Sequence, residues 1–229
     1  MKTIHFGLTA VATCALTAFA SADVIMDQIG DMDASGQVGN VSASQDFEDA
    51  YNAYDVIAID DFTIDTAMNL TSASMVLGGW NGFAGSAGVA GYTVSIFSSV
   101  AAAGNSIFGD VVSVYLATGS QGVTINTDWA GGGELVTFDM LTFSLDAGTY
   151  WIGITPDNTF TVNGQTGAYH SSIGDGVAAQ ANPAGAFWGT PTTDVEGNYA
   201  YSLDGTAVPA PGVLALLGLA GLASRRRRS

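Results

Sequence analysis

Between Asp23 and Ala207 this chain carries 21 aspartates and glutamates and no lysine or arginine; its five basic side chains, Lys2 and Arg225 to Arg228, all lie outside that stretch. With His170 neutral, the body therefore has a formal side-chain charge of −21. It can close no ion pair to lysine or arginine, and its self-repulsion is relieved only by screening or by bound cations. High ionic strength or a divalent cation is expected to stabilise the folded domain. The same balance excludes two partner classes. Without basic groups to displace phosphate counterions the body does not bind nucleic acid, and it is not drawn to anionic lipid.

Residues 23–207 suffice for one domain with a sizeable core, and no linker or charge boundary divides them. The one cysteine, Cys14, precedes them, so the domain must be stable without disulfides. The composition reads as all-β: short alternating runs are separated by Gly, Asn or Asp, and there is neither an amphipathic helix nor an internal repeat. Tyr92, Val94 and Ile96 share one strand face, as do Val112, Val114 and Leu116, and Tyr150, Ile152 and Ile154. Asp146 to Gly148 and Pro156 to Asn158 are turns, and a strand from Asn198 to Leu203 closes the domain. Apolar parity switches twice, near Met140 between Val136/Phe138 and Leu141/Phe143/Leu145, and at Asp60-Asp61 between Ile57/Ile59 and Phe62/Ile64. A bulge at each point would return both halves to the core. The fold predicted is a single jelly-roll-like antiparallel β-sandwich.

Both flanks read as addresses. Lys2, the apolar stretch Ile4 to Phe19 and the small residues Ala20-Ser21-Ala22 predict a signal peptide over 1–22, cleaved before Asp23. Residues 208–229 hold Pro209-Ala210-Pro211, the apolar run Gly212 to Ala223, and Ser224 followed by Arg225, Arg226, Arg227 and Arg228. As a helix that run rises roughly 18 Å against the ~30 Å hydrocarbon core, too short for a permanent span. Arginines after it favour the inner side of a membrane, leaving the body outside and in membrane contact only through this segment.

The order of motif, hydrophobic helix and arginine tail resembles the PEP-CTERM sorting signal of Gram-negative bacteria, with Ala210 standing where that family usually has Glu. The resemblance implies export through the secretion machinery, processing by an exosortase-type enzyme, and residence in the envelope, on the outer surface or in the extracellular matrix. Ser44-Gln-Asp-Phe-Glu48, Ala58-Ile-Asp-Asp-Phe-Thr-Ile64, Ala147-Gly-Thr-Tyr-Trp151 and Tyr201-Ser-Leu-Asp-Gly205 are similar to phrases of the secreted β-sandwich domains that carry this signal. That likeness implies fold and location and no catalytic residues.

Few chemistries fit the body. Schiff-base, thiol and P-loop sites lack their Lys or Cys, and His170, the one histidine available as a base, has no Gly-x-Ser-x-Gly elbow before it. Flat aromatics that stack on sugar rings, beside Asp and Asn that bond hydroxyls, point to extracellular polysaccharide. Trp80, Trp129 and Trp188, each expected in a Gly-rich loop with room for an exposed ring, are the candidates, while Trp151 is expected to pack within a strand. The body is thus read as a non-catalytic structural or adhesive protein. With 18 Asp and three Glu, a carboxylate-dependent polysaccharide hydrolase or lyase is an alternative. A calcium-dependent adhesin is another: Asp31, Asp33 and Ser35 with Gly36 follow the spacing of a calcium loop, though Ser42 stands where its bidentate carboxylate belongs. Asp60, Asp61, Asp157 and Asp175 are expected at turns or a bulge, where a cation would bridge sheets. No other cofactor is implied.

Overall fold

A computed structural model describes residues 22–30, 37–129 and 133–209 of the chain. Residues 1–21, including the expected cleavage-site residue Ala20, lie outside them, as do Ala210, Pro211, the hydrophobic run, Arg225 to Arg228 and the candidate calcium residues Asp31, Asp33 and Ser35. Among the described residues no helix is long and apolar enough to cross a membrane.

The alternating runs fold as β1 (Asp23–Asp27), β2 (Gln37–Ala43), β3 (Ile57–Ile64), β4 (Met68–Trp80), β5 (Gly91–Phe97), β6 (Val112–Ala117) and β7 (Val123–Asn126). They continue as β8 (Glu134–Leu145), β9 (Gly148–Asp157), β10 (Gln165–Ser171), β11 (Val177–Ala181), β12 (Thr192–Glu196), β13 (Asn198–Tyr199) and β14 (Tyr201–Ala207). Two single-turn helices, α1 (Val100–Ala103) and α2 (Phe160–Asn163), and a 3-10 turn at Asp49–Tyr54 sit in the connections. The predicted closing strand is present but divided at Ala200 into β13 and β14.

Two antiparallel sheets result. One runs β12-β11-β3-β9-β5-β6; the other runs β1-β14-β4-β10-β13, with β2 on β10, β8 on the far edge of β4, and β7 on β8. The chain passes repeatedly between the sheets, as a β-sandwich requires. Tyr92, Val94, Ile96, Ile152 and Ile154 from the first meet Leu70, Met75, Leu77, Val136, Phe138 and Leu203 from the second in one buried core. Tyr92 and Phe138 touch edge to face across it, ring centroids 5.3 Å apart, the arrangement their quadrupoles favour.

The two parity switches have different causes. Along β8 the register against β4 slips between Leu70/Phe143 and Ser72/Asp139, and Met140 adopts φ +67° with its side chain 66 % exposed. That bulge places Val136 and Phe138 before it, and Leu141, Phe143 and Leu145 after it, in the core. The bulge expected at Asp60-Asp61 is not there: β3 pairs with β9 in unbroken register from Ile59 to Ile64. Instead both faces of β3 are covered. Ile57 and Ile59 bury outward in a second cluster with Phe97, Ala103 of α1, Ile107 and Trp151, beneath a turn that Ser99 caps by accepting from Ala102 N at 3.2 Å. Asp60 consequently points into the space between the sheets and is fully buried.

Candidate functional site

The upper ends of β3, β4, β5, β9, β10 and β11 converge at one end of the sandwich, and their connections build an aromatic cleft of about 230 Å³ lined by Phe47, Tyr51, Tyr54, Phe160, Gln165 and Phe187. The rings form an unbroken row. Phe47 lies 6.0 Å from Phe160, Phe160 5.8 Å from Tyr51, Tyr51 6.4 Å from Tyr54, and Tyr54 5.6 Å from Phe187. Trp188 extends the row 5.6 Å beyond Phe187. Successive planes are inclined by 40° to 72°, so the rings wall the cleft rather than stack into a closed core. Tyr54 is 43 % exposed, and Phe187 and Trp188 are each 39 % exposed.

Polar side chains hold these walls. Buried Asn182, at the end of β11, donates from Nδ2 to the carbonyls of Ala53 (3.0 Å) and Asp55 (2.7 Å) and accepts from Phe187 N at 3.2 Å. One amide thus joins the Tyr54 wall to the Phe187 wall. Glu48 accepts from Phe160 N at 2.7 Å, Thr161 N at 3.1 Å and Thr161 Oγ1 at 2.9 Å. Desolvation opposes ionisation of Glu48, but those donors hold its carboxyl below the usual range. Beneath the cleft, Gln45 bonds Asn158 O and Thr166 N, at 2.9 and 2.7 Å, tying β10 to the segment that carries Phe47. Gly164 ends α2 at φ +66°, where an added Cβ would stand 2.4 Å from Phe83 N, so only glycine fits this turn.

The surrounding charge is entirely acidic. Burial, reinforced by Asp55 and Asp157, pushes the carboxyl of Asp46 up to about 6. Burial also raises Asp55, against the hydrogen bond from Phe47 N. Asp157, expected at a turn, ends β9 and accepts from the Tyr115 hydroxyl at 3.1 Å. Among the described residues no group of three or more His, Cys, Asp or Glu side chains is placed to hold a metal ion.

Of the three candidate tryptophans, only Trp188 offers an exposed ring beside this cleft. Trp80 is not in the expected loop: it ends β4, half-buried and paired opposite Gln165, because the glycines before it continue the strand. Trp129 departs from the expected exposed loop position: it is 4 % exposed and packs with Ile29, Val76 and Ala200 on the outer face of the eight-stranded sheet. Indole burial wins there because Val76, between the core residues Met75 and Leu77, leaves an apolar surface that needs covering. Trp151 packs against the Ile57 and Ile59 cluster, as expected. A second hollow of about 210 Å³ near β1 and β14 includes Trp129, Asp27 and Asp204 in its lining; it presents no comparable row of ring faces. Sequence reasoning missed the Phe and Tyr row, although Phe47, Tyr51 and Tyr54 recur at i, i+4 and i+7 in an otherwise acidic segment, spacing that places three rings on one side of a helical turn.

A second polar group lies inside the sandwich. Asp60 accepts from Tyr199 N at 2.5 Å, and Gln28, with its amide oriented to satisfy both ends, donates to Asp60 Oδ2 at 3.0 Å and to the Tyr199 carbonyl at 2.7 Å. Burial pushes the Asp60 carboxyl up to about 8; these hydrogen bonds work against the shift, and Asp61 and Asp175 add to it. The bulge expected to seat Asp60 for a cation is absent; in the regular strand Asp60 turns inward, and an internal amide and a backbone N–H both donate to its Oδ2. Next to it His170 Nε2 meets Ser42 Oγ at 2.7 Å and the ring stands edge-on to Tyr199 at 5.3 Å. Burial lowers the His170 pKa, so the imidazole is neutral near pH 7.

Fold and site together define the class: an antiparallel β-sandwich with an anionic, ring-walled cleft between its loops. No protein-family model and no curated protein matches the chain.

Proposed function

We propose that this chain is an exported cell-surface or extracellular-matrix protein of structural or adhesive type, sorted through residues 208–229 by an exosortase-type enzyme, and that it holds extracellular polysaccharide in the cleft formed by Phe47, Tyr51, Tyr54, Phe160 and Phe187. The observation that carries this reading is the exposed aromatic row, held in place by an internally bonded polar frame, which presents fixed ring faces of the kind that stack on sugar rings. Its position adds support. Ala207 pairs with Met68 at the start of β4, whereas the cleft lies by Trp80 and Gln165 at its far end. At ~3.3 Å per strand residue the two ends are roughly 40 Å apart, so a body tethered through residues 208–229 would present the cleft outward.

Calorimetric titration of the full chain with oligosaccharides from matrix polysaccharides tests the reading. Tyr54→Ala and Trp188→Ala are each expected to weaken binding roughly tenfold, one aromatic contact, without shifting the melting temperature. Unchanged affinity in both variants, or no sugar bound by the wild type, would reject it. Release of reducing ends from the same sugars, abolished by Asp46→Asn, would support the hydrolase or lyase reading instead.

Sorting is tested separately by intact-mass spectrometry of envelope and medium fractions. The expected mature form begins at Asp23 and lacks Arg225 to Arg228. Recovery of the complete chain from the cytosol alone would overturn export.

A further inference from the structure

Building on the glycan reading of the cleft, we propose that the polysaccharide it selects bears protonated amines, a deacetylated amino-sugar polymer, in preference to neutral or uronate-bearing chains. Three observations converge on this. First, the cleft offers ring faces, and the negative face of an aromatic ring attracts an ammonium group as well as the apolar face of a sugar. Tyr51, Tyr54, Phe160 and Phe187 present four such rings around one opening, inclined so that several face the same space.

Second, the fixed charge near the rings has one sign. Glu48 is held ionised by α2 at the Phe160 wall, and Asp49 begins the turn that carries Tyr51 and Tyr54. Third, nothing compensates them. The described residues contain no lysine or arginine, and burial disfavours a charge on the one described histidine, His170. An anionic sugar would be repelled by this surrounding negative field, whereas an ammonium would be drawn by it onto the ring faces. Gln165 in the lining supplies an amide able to bond a hydroxyl or an amine.

The test is titration of the full chain, kept in solution by a detergent without a sugar headgroup, in mildly acidic buffer. The probes are oligomers of equal length of glucosamine, N-acetylglucosamine and galacturonate. The glucosamine oligomer is expected to bind at least about tenfold more tightly than the acetylated one, the size of one partly desolvated cation–ring contact. The uronate should not bind, and the advantage should shrink in raised salt. Tyr54→Ala and Phe187→Ala keep the full charge of the protein and replace exposed rings, so they are expected to fold normally and to lose the advantage. If acetylated and amine forms bind equally and both variants weaken both, the amine preference is wrong and the glycan cleft stands. An advantage that persists in both variants would assign it to the charge of the whole body and overturn the proposal. If no oligomer binds, the glycan reading falls with it.

Discussion

Asp60→Asn is expected to gain stability over the wild type progressively between about pH 4 and pH 8. The buried carboxyl keeps its proton up to about pH 8 when folded, against an ordinary value of 3.8. Between those values the native state binds more protons than the unfolded chain, so wild-type stability falls as pH rises. Full linkage over that window corresponds to roughly 6 kcal/mol at 1.36 kcal/mol per pKa unit. Asparagine keeps an acceptor for Tyr199 N and a group that Gln28 can bond, and has no charge to desolvate. Other groups titrate in the same window. Asp46, Asp55, Asp61 and Asp204 are raised and act in the same sense as Asp60. Glu48 and His170 are lowered, so their contributions are lost on acidification instead. All six are common to both proteins, and the difference between the two isolates Asp60. Chemical denaturation midpoints across this range are the measurement; parallel curves for wild type and variant would show that Asp60 ionises freely in the folded state.

Asn182→Ala is expected to destabilise the fold by about 3 kcal/mol and to lower affinity for any cleft ligand more than Trp188→Ala does. The fully buried amide satisfies two carbonyls and one N–H on part-exposed segments, and each of the three hydrogen bonds lost costs roughly 0.5–1.5 kcal/mol net. Because the groups it joins precede Tyr54, follow it, and include Phe187 itself, losing it frees two walls at once. Asn182→Asp separates the effects: it can still accept from Phe187 N but cannot donate to the Ala53 and Asp55 carbonyls, and it adds a carboxylate beside Asp55. It should therefore be at least as destabilising as alanine above the carboxylate's pKa, and milder below it. Thermal melts and titration of the three proteins decide the matter. Wild-type affinity in Asn182→Ala would mean that the walls are positioned by ring packing alone.

The sugar-binding candidates read from the sequence are indoles in Gly-rich loops, and one of the three offers an exposed ring beside the cleft. Glycine reports that a chain turns, not which side of the turn meets water. Trp129 and Trp188 have similar local surroundings in sequence and opposite exposures, because the outer face of β4 at Val76 needs a cover and the β11–β12 connection does not. The cleft itself draws on residues 47–54, 160, 165 and 187, distant segments that meet only after two sheets have formed.

Local alternation was enough to determine the β class, most strand faces and the Met140 bulge, since side-chain direction along a strand repeats every two residues. Composition alone determined that the body is anionic throughout, without disulfides or ion pairs to lysine or arginine. Tertiary structure decided what lies against each face. Ile57 and Ile59 are buried under α1 rather than between the sheets, which turns Asp60 inward among Gln28 and Tyr199. A period of two distinguishes one side of a strand from the other but carries no information about a cover supplied from 40 residues away, and both the buried acid and the aromatic cleft depend on such covers.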